Sequence, residues 1–125
     1  MQDEPTPLAV LDAAISHLRE NVLPKLDVRG QFELRVTMSA LSLVRRTLAL
    51  TPESDAAELT RLQDLLGEAG DLTSLNATLC ARIRDGAVNL KTPGLFEHLH
   101  ATAVEKLAVD QPNYSAYKRA VAQES

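Results

Sequence analysis

The sequence predicts an all-α fold, a single five-helix bundle around one central buried helix at about residues 31–50. Three observations carry this. The stretch from Phe32 to Leu50, FELRVTMSALSLVRRTLAL, is apolar on nearly every side when wound at 100° per residue, and such a helix packs with neighbours all round it. Three Thr-Pro pairs, at 6–7, 51–52 and 92–93, read as helix beginnings, because threonine caps free amides and proline at the first helical position lacks only an N–H that had no partner. Apolar residues make up 45% of the chain and aromatics 3%, so leucine, valine and alanine must fill the core.

In chain order, the first helix runs from Pro7 to about Leu23. Leu8, Val10, Leu11, Ala14, Ile15, Leu18 and Val22 occupy about half its surface, with Asp12, Ser16, Arg19 and Glu20 opposite, the pattern of an outer bundle helix. Pro24 ends or kinks its last turn, and Asp27 to Gly30 connect it to the central helix. There Val36, Ala40, Leu43 and Val44 are expected to be deeply buried. A third helix begins at Pro52, with Glu53 and Asp55 near the positive end of its dipole. It presents Leu59, Leu62, Leu65 and Leu66 and stops at Gly67. A fourth helix starts with Asp71 as its cap, buries Leu72, Leu75, Leu79 and Ile83, and closes at Gly86, with Arg82 and Arg84 in its last turn. Residues 87–91 read as a short connector. The fifth helix spans Pro93 to about Val109 and buries Leu95, Phe96, Leu99, Ala103, Val104 and Leu107. Residues 1–6 form an N-terminal extension. Residues 112–125 form a C-terminal tail that leaves the helix axis at Pro112, folds back, and has a turn or two of helix from Ser115. One domain is expected.

Charge and composition exclude several function classes. Thirteen basic and seventeen acidic residues give a net charge of −4, which is no footprint for nucleic acid or an anionic membrane, since phosphate binding needs clustered positive charge. A single cysteine leaves no internal disulfide and fits a reducing compartment. No apolar run approaches the roughly 20 residues that span a bilayer, and the acidic start MQDEPTP has no signal core. A cytoplasmic protein is expected.

Among polar residues, Arg35, Ser39, Ser42 and Arg46 line one side of the central helix at spacings of four, three and four. Two guanidinium groups with hydroxyls between them suit a carboxylate or phosphate. The bland alternative is the solvated strip of an otherwise buried helix. Glu97 and His100 form an E-x-x-H, but di-iron bundles need a second copy and none occurs. His98 is expected at the surface and His100 at a rim. Cys80 lacks an adjacent base and is expected to pack in the core. No G-x-S-x-G elbow or glycine-rich phosphate loop is present. No catalytic residue, metal ligand or cofactor is assigned, which leans away from an enzyme. Tyr114 and Tyr117 either anchor the tail or offer an aromatic edge to a partner. Leu59, Leu62 and Leu66, on a short helix expected at the periphery, offer an interface for a protein partner or a homodimer, which Leu62→Glu would split.

The run from Phe32 to Leu41, the segment from Leu75-Asn76 through Leu79-Cys80 to Gly86, and especially Lys106-Leu-Ala-Val-Asp-Gln-Pro-Asn-Tyr114-Ser resemble a bacterial family of small all-helical domains of unknown function. The likeness covers nearly the whole chain. Where that family's pattern has His and Asn, this chain has Glu33 and Ser39. The resemblance implies a partner or pathway rather than an activity, because such domains are often encoded beside aminoglycoside-phosphotransferase-like proteins and acyl-CoA dehydrogenases. The function that follows is a non-catalytic helical accessory module with a phosphotransferase-like partner; the alternative is an anion-binding domain using Arg35, Ser39, Ser42 and Arg46.

Overall fold

The computed structural model describes residues 4–124, in which there are five α-helices and no strand. They are α1 (Pro7–His17), α2 (Val28–Leu66), α3 (Leu72–Asp85), α4 (Leu95–Asp110) and α5 (Ser115–Glu124). The all-α bundle expected from the sequence is present. Residues 1–3 of the expected extension and Ser125 of the tail lie outside the described residues. The chain divides into two compact units, Met1–Thr51 and Pro52–Ser125.

In the first unit, Thr6 caps α1 as its Thr-Pro pair predicts: its Oγ1 accepts from the Ala9 amide at 3.1 Å. The regular helix stops at His17. Leu18–Val22 then winds as one π turn and Leu23–Lys25 as a 3₁₀ turn. Pro24 is the cause, because it has no N–H to give the carbonyl four residues back; beside it the Leu23 amide reaches the Leu18 carbonyl five residues back. Asp27 caps α2, its Oδ1 accepting from the Gly30 amide at 2.8 Å. The central helix therefore starts inside the expected connection.

Two expectations for α2 fail. The helix does not restart at Thr51-Pro52 but runs through, with Pro52 in its interior. An interior proline costs about 3 kcal/mol, yet a break there would create two new ends with up to four unpaired backbone groups each. Nor is the stretch 31–50 buried all round. Met38 is buried, and Leu34 and Leu41 are half-buried on the same side. Val36, Leu43 and Val44 are exposed, as are Phe32, Ala40, Leu48 and Leu50. Ile15 and Met38 are the deeply buried apolar side chains of this unit among the described residues. One helical hairpin covers one stripe of α2; it cannot enclose it.

The core belongs to the second unit. Leu62, Leu66, Leu75, Leu79, Val88 and Leu95 form one buried cluster, with Leu59, Leu65 and Leu72 packed against it. Asp71 caps α3, accepting from the Ser74 amide at 2.8 Å. Gly86 ends it at φ +87°, a left-handed conformation that favours glycine. Arg82 does more than answer the dipole of its own helix: it donates to the Leu66 carbonyl at the end of α2 (3.1 Å) and to Glu68 (2.6 Å). The connector after Gly86 contributes Val88 to the core, with its amide bonded to the Arg82 carbonyl at 3.1 Å. Thr92 closes this loop, its Oγ1 accepting from the Asn89 amide at 2.9 Å, so α4 starts at Leu95 rather than Pro93. The tail folds back as expected, as the full helix α5 packed on α4.

Candidate functional site

The sequence marks α4 by its Glu97/His100 pair, but its chemistry sits elsewhere. Leu95, His98, Thr102 and Glu105 recur at spacings of three, four and three, which places them on one face. That face points inward. His98 is 3% exposed, whereas Phe96 and Leu99, expected in the core, are exposed. The reason lies on α2, where Arg61 supplies the partners that polar residues need inside. Its Nη1 and Nη2 each donate to one Glu105 oxygen at 2.8 Å, a bidentate pair. Nη2 also meets Thr102 Oγ1 at 3.3 Å, and Nε donates to His98 Nδ1 at 3.3 Å.

With Nδ1 accepting, a neutral His98 carries its proton on Nε2. Burial lowers its pKa from the usual value, and the Arg61 charge adds to that; Glu58 and Glu105 oppose it. Arg61 is held more firmly protonated by its hydrogen bond to Glu105. A histidine with a depressed folded pKa binds fewer protons folded than unfolded, so its contribution is complete above about pH 6.5 and is lost as pH falls below that value. Thermal melts of the chain should therefore show Tm falling between pH 7 and pH 5.5. His98→Asn, which keeps an acceptor near Nδ1, should show a shallower fall. Parallel pH profiles would remove His98 as the cause.

Beside this network lies a cleft of about 260 Å³ lined by Arg61, Asp64, Leu65, Pro93, Gly94, Glu97 and His98. Ligand pockets usually measure about 300–1,000 Å³. Arg61 spends its donors on Glu105, Thr102 and His98, and the two remaining charged groups, Asp64 and Glu97, are both acidic. The network reads as a polar clamp between α2 and α4. Its sequence signal was the 98–102–105 spacing; its partner, 37 to 44 residues away, carried none.

The other candidates fall as follows. Arg35 and Ser39 are exposed on α2, and Ser42 and Arg46 are half-buried beside them. Leu59, Leu62 and Leu66, read as an interface, lie in or against the core, with Leu62 at 0% exposure. The long continuous α2 carries them inward, so they do not stand on a separate short helix. Tyr114 is exposed and Tyr117 half-buried. Cys80 is exposed rather than packed in the core. Glu97 lines the cleft, while His100 lies exposed, stacked on Phe96 at 6.2 Å between centroids and 3.3 Å from Glu124. The expected surface and rim roles of His98 and His100 are thus replaced by a buried and an exposed one.

What sequence reasoning missed is the outward face of α2 in the first unit. Phe32 (67% exposed), Val36 (57%), Leu43 and Leu50 recur along one side of the helix, and Val44 and Leu48 are exposed elsewhere on its circumference. The signal was the all-round apolar pattern itself. That pattern predicts burial within the chain, which the exposed side of α2 does not show.

No curated protein matches the chain, and no solved structure does. A family model does, over residues 24–114, which include all of α2, α3 and α4, and the approach to α5. The chain therefore belongs to the family described as a domain of unknown function, DUF6285.

Proposed function

We propose that this protein is a non-catalytic interaction module whose docking element is the outward face of α2 between Val28 and Leu50. The observation that supports it is the exposure of Val28, Phe32, Val36, Leu43 and Leu50 along one side of this helix. Soluble monomers seldom leave a contiguous apolar patch of this kind uncovered unless something binds there. The anion-binding alternative has less behind it. Arg35 and Ser39 lie open to water, where an ion pair is worth about 0–1 kcal/mol.

The test is co-purification of the tagged chain from its native host, beside the double variant Phe32→Glu/Leu43→Glu. A defined protein, either another copy or a different chain, should accompany the parent in stoichiometric amount and be lost from the variant. Among different chains, a phosphotransferase-like protein is the first to look for, as the family resemblance implies. Equal recovery with parent and variant would place docking elsewhere.

A further inference from the structure

We infer that the occupant of the α2 face is a second copy of this chain, joined by its first unit. The inference rests on the interaction reading and names its partner.

The area points the same way. Five large apolar side chains on one side of α2, Val28, Phe32, Val36, Leu43 and Leu50, are 38–86% exposed. They offer on the order of 300 Å² of apolar surface, taking about 100 Å² for each fully exposed one. A stable interface of standard size takes about 800 Å² from each partner, roughly 60% of it apolar. Two such faces therefore supply about 600 Å² of the roughly 960 Å² of apolar surface that such an interface holds.

The geometry fits a helix as the partner. Val36, Leu43 and Leu50 recur every seven residues, and Phe32 precedes Val36 by four, the spacing of a helix–helix seam. Small Ser39 and Ala40 lie mid-strip. At 1.5 Å per residue the strip is about 27 Å long, and an identical strip matches that length.

The charges fit a self-contact. Residues 1–51 hold six basic and six acidic residues, whereas residues 52–125 hold seven and eleven. A twofold contact through the first unit brings no net charge against itself; one through the second would set −4 against −4. The first unit also has most to gain, since Ile15 and Met38 alone are deeply buried in it among the described residues. Two hairpins pairing along α2 would form a four-helix arrangement with an apolar centre.

Sedimentation equilibrium of the purified full chain, from low micromolar to several hundred micromolar, should give about twice the 13.6 kDa chain mass. Phe32→Glu/Leu43→Glu should sediment as a monomer with unchanged helical circular dichroism. If that variant loses helix, Phe32→Ala/Leu43→Ala supplies the same test by weakening the dimer tenfold or more. A parent that is monomeric throughout overturns the inference. So does a dimer that ignores both variants. A monomeric parent whose α2 face still captures a different host protein, or sediments with lipid vesicles through these residues, overturns the second copy while leaving the docking face in place.

Discussion

Replacing Leu62 by alanine is expected to cost about 2–5 kcal/mol and to lower Tm by roughly 10 °C or more. Leu62 is the one large side chain wholly enclosed among the described residues, packed with Leu66, Leu75, Leu79, Val88 and Leu95. Truncation leaves a cavity that α3 and α4 cannot close, because each is anchored by its own contacts: Arg82 to the Leu66 carbonyl, and Glu105 to Arg61. Leu43→Ala is the control. Leu43 is exposed, so at concentrations where the chain is monomeric its truncation should cost about 1 kcal/mol or less. Urea unfolding of the two variants against the parent measures both values. A Leu43→Ala loss equal to that of Leu62→Ala would mean that α2 is buried along its first half after all.

The second large effect is at Arg61. Arg61→Ala removes both bonds to Glu105 and those to Thr102 and His98 in one step. The side chains of Arg61 and Glu105 are each 24% exposed, so water softens the penalty of the orphaned carboxylate. The cost should fall at about 2–3 kcal/mol, below the 3–5 of a fully buried pair. Arg61→Lys should recover only part of it, since an ammonium cannot make the two-pronged contact. A double-mutant cycle with Glu105→Ala should return a coupling of about 1–2 kcal/mol; a value near zero would reduce the pair to a surface contact. Arg61→Ala should also move the His98 pKa upward, readable by NMR titration, because the guanidinium charge is one of the causes that lower it.

The inversion of α4 shows why the site was only partly legible. Leu95, Phe96, Leu99, Ala103, Val104 and Leu107 make a plausible apolar face, and hydrophobicity alone prefers it. The observed face is turned by about a third of the circumference, so that His98, Thr102 and Glu105 look inward. That orientation is favourable only because Arg61 meets them, and a contact across 37 to 44 residues leaves no trace in local periodicity. The same limit applied to residues 32–50. Apolar residues on every side state that neighbours are wanted, but not whether they come from this chain or from another.

The sequence by itself determined the helical class, the Thr6 cap of α1, the Asp71 and Gly86 limits of α3, the stop after Leu66 and the return of the tail after Pro112. These depend on backbone groups within a few residues, where capping side chains, proline and glycine act directly. Only the tertiary structure decided that α2 runs through Pro52, that the core gathers around Leu62, that Arg61 turns α4, and that the α2 face stays open. Each of these depends on what packs across long sequence separations, and there burial and pairing outweigh local preference.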